Sequence, residues 1–174
     1  MAALDLPDTA FSRRVDPLLD WLGRAVSWLW LALLLVIVAN VTLRYVFGEG
    51  RIELEEIQWH LYSVGFLLGL SYAYRSDSHI RVDVVSERLT QRQRAWLELY
   101  GILLALLPFI ALVLYYAGPF VLLSWNLSEV SVSPGGLPAR WAIKAVLPLG
   151  FLVLLLAVLS RFSRVWVFLF GKPV

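Results

Sequence analysis

The chain has 174 residues, of which 60% are apolar and only 16% charged, with a mean hydropathy of +0.74. Too few polar groups remain to cover a water-soluble globule of that size, which places the chain in a bilayer. The absence of cysteine excludes disulfide frameworks, thiol redox chemistry and Cys-ligated zinc or iron–sulfur centres, and two histidines leave little for any other metal. The net charge of +2 comes from arginines beside apolar runs, not from a groove interleaved with aromatics; it points to membrane topology and away from nucleic acid.

Residues 1–20 carry Asp5, Asp8, Asp16 and Asp20 against Arg13 and Arg14, with Pro7 and Pro17, and read as a short cytoplasmic leader. The first apolar run, Ala25 to Leu43, has 19 uncharged residues. That is longer than the h-region of a cleavable signal, so it is read as a retained span. At about 1.5 Å per residue it covers roughly 28 Å, close to the hydrocarbon thickness. Trp21, Trp28 and Trp30 near its start suit the interfacial belt. The second run, Ile57 to Tyr74, lies between Glu56 and Arg75 and carries Gly65 and Gly69 as a small-xxx-small pair.

From Ser76 to Glu98 the pattern is polar but periodic: Val82, Val85, Leu89 and Trp96 recur at helical spacings while Arg81, Arg88, Arg92 and Arg94 fall elsewhere. This predicts an amphipathic helix on the membrane surface. Thr90 and Gln93 have the spacing of a capping box and start the third helix. The uncharged run from Leu99 to Ser128 is 30 residues, about 45 Å of helix, more than one bilayer requires. Gly118–Pro119 is the expected break and Pro108 a kink. Pro134, Gly135, Gly136 and Pro138 mark a loop, and the fourth run extends from about Trp141 to Ser160.

The predicted fold is an all-α membrane protein of four transmembrane helices with both termini inside and a short amphipathic interfacial helix between helices 2 and 3. Its parts are a leader at 1–20, spans at 21–44, 56–75, 96–122 and 140–161, the amphipathic segment at 79–95, an outer loop at 123–139 and a tail at 162–174. With the N-terminus cytoplasmic, eleven of the 15 basic residues lie inside, and four lie outside, namely Arg44, Arg51, Arg140 and Lys144. That split obeys the positive-inside rule. Eight acidic residues lie inside, while Glu49, Glu53, Glu55, Glu56 and Glu129 leave the outer face slightly acidic.

A transporter acting alone would need an ionisable group near the midplane, and the central turns of the four runs contain none. His60, about one turn inside the outer boundary, reads as a hydrogen-bonded interfacial residue, with ion coupling as the alternative. Asn40 and Arg44 share a helix face. Asn40 suits an interhelical hydrogen bond; Arg44 suits either the headgroups or a charge-assisted contact with Glu55 or Glu56 across the hairpin. Both glutamates also favour the positive end of the second helix. Arg140 and Lys144 suit a lipid phosphate or a partner's carboxylate. No catalytic constellation or phosphate loop is present, so the chain reads as a membrane scaffold and not as an enzyme.

The segments NVTLRYVF (40–47), LEEIQW (54–59), GFLLGLSYAYR (65–75) and DSHIRVD (77–83) resemble the small membrane subunit of tripartite ATP-independent periplasmic (TRAP) transporters. SPGGLP (133–138), RWAIK (140–144) and LPLGF (147–151) are similar to the same family's outer loop and fourth helix. The match departs at Leu54, where many members carry tryptophan. The resemblance implies a bacterial inner-membrane complex in which a large multi-helix subunit moves an organic acid with sodium by an elevator motion, after delivery by a periplasmic substrate-binding protein. This chain would brace the large subunit and would itself hold no cofactor. Asn40, Arg44, Glu49, Arg51, Glu53, Glu55, Glu56, His60 and Glu129 are then the candidate contacts with the large subunit or the binding protein, and Arg81, Arg88, Arg92, Arg140 and Lys144 the candidate contacts with phospholipid headgroups. The other readings are a stand-alone four-helix exporter and a structural membrane subunit of a redox complex.

Overall fold

The computed structural model of the chain describes residues 4–78 and 89–171. Within them the chain is helical with no strand. Four helices run α1 Ser12–Val46, α2 Ile52–Arg75, α3 Gln91–Asn126 and α4 Arg140–Phe170. α1, α3 and α4 are long and apolar enough to cross a membrane. α2 has 24 residues, about 36 Å and so sufficient in length. Gln58, His60, Tyr62 and Ser63 dilute its apolar character near its start. Residues 79–88 of the predicted amphipathic segment, with Arg81 and Arg88, lie outside the described residues.

α1 starts at Ser12, ahead of the apolar run, because Thr9 and Ser12 satisfy one another: each backbone N–H donates to the other's hydroxyl, at 2.9 and 3.0 Å. The helix therefore includes Asp16 and Asp20, which the sequence assigns to a leader. α3 opens with the predicted capping box, in which Thr90 N–H donates to Gln93 Oε1 at 2.9 Å and Gln93 N–H donates to Thr90 Oγ1 at 3.4 Å. Arg92 consequently lies in the first turn of α3.

The expected break at Gly118–Pro119 does not occur, since helix continues to Asn126 with Pro119 inside it. In lipid a freed backbone group finds no water, so one lost hydrogen bond costs less than unravelling the last turns. The irregularity comes earlier. Gly101–Leu106 forms a π-helical turn in which Leu107 N–H donates to the Ile102 carbonyl. Pro108 follows directly; it has no N–H, and its ring would press on the carbonyl four residues back, so a wider turn ahead of it relieves the crowding.

α4 is the hub, packing against α1, α2 and α3. Its Phe151, Leu154 and Val158 form one core with Ile102 and Ile110 of α3, and Leu67 of α2 packs on it. Gly150 makes the close approach of α2 possible, because a Cβ there would lie 2.9 Å from Leu67 Cβ and 3.1 Å from its carbonyl oxygen. A second core joins Leu6, Ala95, Leu99 and Val165. Of the predicted glycine pair, Gly65 meets Trp30 of α1, whereas Gly69 faces open space. The helices alternate in direction, so the α1–α2 and α3–α4 loops share one end of the bundle, and the N-terminal segment, the end of α2, the start of α3 and the end of α4 share the other.

Candidate functional site

At the loop end the α3–α4 loop folds onto the start of α2, and Glu56 holds it there. The Ser131 hydroxyl donates to Glu56 Oε1, and the Leu137 N–H donates to Oε2 at 2.6 Å. Ser131 N–H donates in turn to the Leu137 carbonyl at 3.2 Å, closing the loop on itself. Two glycines permit this geometry. Gly135 has φ +78°, the left-handed region that favours glycine. At Gly136 a Cβ would collide with Ser131 and lie 2.8 Å from Glu56 Oε1.

Arg44 pairs with Glu55 across the α1–α2 hairpin, which selects the charge-assisted contact over headgroup anchoring alone. Glu49 and Arg51 pair at 3.1 Å in the hairpin loop, both exposed, and Glu53 is exposed beside them. The His60 Nδ1–H donates to the Glu56 carbonyl of its own helix at 2.5 Å. Lys144 pairs with Glu129 and also lies 4.4 Å from the Phe120 ring centre, so its charge is taken up within the chain. By donating a hydrogen bond to the carboxylate, that ammonium holds Glu129 below the ordinary carboxylate value. Arg140 is half-buried at the start of α4, and its N–H donates to the Glu129 carbonyl at 3.0 Å. Trp125 and Trp141 pack edge-to-face at 4.5 Å across the same loop. Asn40 departs from expectation: it is 6% exposed, and its Oδ1 has no hydrogen-bond partner among the described residues.

The opposite end holds a network of acids and arginines that local spacing does not reveal. Asp16 of α1 lies 3.2 Å from Arg75 of α2 and 3.5 Å from Arg164 of α4, and accepts from the Ser160 hydroxyl at 2.6 Å. Asp20 adds a second contact to Arg75 at 3.1 Å. Arg161 of α4 donates through Nε and Nη2 to the two oxygens of Glu98 on α3, at 2.5 and 3.1 Å, with Asp77 at 3.6 Å. Arg164 also donates to the Leu6 carbonyl at 3.1 Å, and Thr9 and Ser163 share a hydrogen bond of 2.8 Å, which tie the N-terminal segment down. The one available signal was that each of these charges stands just beyond an apolar run, on the same side of the predicted bilayer.

Charges thus gather at the two ends of the bundle and link helices distant in sequence. Among the described residues no group of three or more His, Cys, Asp or Glu side chains is arranged to hold a metal ion. The arrangement suits holding helices in place and presenting a surface. No individual curated protein matches the chain. The family described as tripartite ATP-independent periplasmic transporters, DctQ component, matches residues 33–168, an interval that contains all four helices' contacts at the loop end and Glu98, Arg161 and Arg164 at the other. The chain therefore belongs to the DctQ family, the small permease component of TRAP transporters.

Proposed function

We propose that this small subunit is the fixed brace of its transporter: it crosses the inner membrane four times with both termini in the cytoplasm and supports a large elevator-type subunit during sodium-coupled uptake of an organic acid delivered by a periplasmic binding protein. The observation that carries the reading is the locking of the bundle at both ends, by Glu56 on the α3–α4 loop and by Asp16 and Glu98 on the arginines of α2 and α4. Largely buried charges that bridge helices resist relative motion, because separating them leaves a charge without its partner. A body built this way suits a support better than a moving carrier. The basic residues support the orientation, and α2, enclosed between α1 and α4, serves as the fourth span.

In that orientation the loop end faces the periplasm. Glu56 and Glu129 are committed within the chain, whereas Glu49, Arg51 and Glu53 are exposed there. The exposed Glu49–Arg51 pair is worth roughly 0–1 kcal/mol, so it can exchange partners, and mixed charge suits a salt-sensitive encounter with a binding protein. Reconstitution tests the whole reading. Vesicles holding this chain alone should take up no organic acid under a sodium gradient, and uptake should appear when the large subunit and the binding protein are added. Accumulation by this chain alone would refute the proposal.

A further inference from the structure

The contact between α1 and α2 has a definite antiparallel register. A Cβ at Gly23 would strike the Tyr72 ring, the ring of Trp30 lies 3.3 Å from where a Cβ of Gly65 would be, and Trp30 packs edge-on to Tyr62 at 5.9 Å. Nearer the loop, Arg44 reaches Glu55. On α2, Gln58, Gly65 and Tyr72 follow one another at intervals of seven residues, so they share the stripe turned to α1. On α1, Val26, Trp30, Asn40 and Arg44 lie on the corresponding stripe, at steps of four, ten (seven plus three) and four residues. The register that brings Gly23 to Tyr72 and Arg44 to Glu55 sets Gln58 within one turn of Asn40.

Each of these two amides has a buried polar atom without a hydrogen-bond partner among the described residues: Asn40 Oδ1, an acceptor, and Gln58 Nε2, a donor. Orphaned polar atoms inside a membrane helix pair are costly, and here the two are complementary and, by that register, within one helical turn of each other. We propose that one water molecule is bound between α1 and α2, accepting from Gln58 Nε2 and donating to Asn40 Oδ1. A buried water needs two to four polar partners, and the site supplies two from side chains. Water also both donates and accepts, so the site tolerates either orientation of each amide. The polar layer sits one turn inside the Arg44–Glu55 pair and fixes the hairpin register, since sliding α1 along α2 would carry both amides into apolar surroundings.

Two measurements on the full chain in its transporter complex test this. A density map fine enough to show ordered water should have a peak within about 2.7–3.2 Å of both amides; a direct Asn40–Gln58 bond, or side chains turned apart, would overturn the proposal. The second is a double-mutant cycle in thermal unfolding. Asn40→Leu and Gln58→Leu should each lower the midpoint by about 2–4 °C or more, through the orphan that each leaves behind. The double variant should lose clearly less than the sum of the two, because neither orphan then remains. Additive losses would overturn the shared site.

Discussion

Replacing Glu98 by leucine should destabilise the chain by about 3–5 kcal/mol, the usual cost of removing one member of a buried ion pair. Both side chains are 12% exposed and joined by two hydrogen bonds, so Arg161 would be left as a desolvated cation with Asp77, at 3.6 Å, as its remaining carboxylate. For a chain of this size that corresponds to a fall of the unfolding midpoint on the order of 10 °C. The double variant Glu98→Leu, Arg161→Leu should recover most of the loss, because an apolar pair of similar volume removes the charge together with its partner. Scanning fluorimetry of the three proteins decides the matter. Equal losses in the single and double variants would show that the pair does not hold α3 to α4 electrostatically.

The second large effect is expected on transport. Reversing Glu55 and Glu56 together, by Glu55→Lys and Glu56→Lys, removes the acceptor for the Ser131 hydroxyl and the Leu137 N–H and sets a cation against Arg44. A lysine ammonium has no acceptor to offer either donor. The α3–α4 loop should come away from α2, and uptake should fall several-fold although the chain still inserts, because the apolar runs that drive insertion are untouched. Glu56→Gln keeps one acceptor oxygen and should give an intermediate loss. Normal uptake at normal complex levels would remove these glutamates from any functional role.

What could be read from the sequence was local. The Thr90–Gln93 capping box, the start of α4 after the proline–glycine loop and the Arg44–Glu55 contact all join residues a few positions, or one short hairpin, apart. Asp16 and Arg164 are 148 residues apart and Glu98 and Arg161 63, and no periodicity links such pairs. They were visible only as charges flanking apolar runs. The counting of charges by side of the membrane put them together without pairing them. Gly118–Pro119 misled because helix-breaking tendencies are measured against water, whereas a helix in lipid has no better arrangement for its backbone. Gly69 shows the limit of a small-residue motif: its partner Gly65 packs on Trp30, whereas a Cβ at Gly69 would meet nothing within 4 Å among the described residues.

Since the natural chain has no cysteine, introduced cysteines can carry spin labels without competition. Labels in the pairs Arg13→Cys with Val132→Cys and Arg51→Cys with Val132→Cys, all at exposed positions, would report the distance between the two ends and across the loop end in the working complex. A fixed brace predicts superimposable distance distributions in the empty, sodium-loaded and substrate-loaded states. A shift of about 5 Å, one helical turn, that follows the transport state would contradict it.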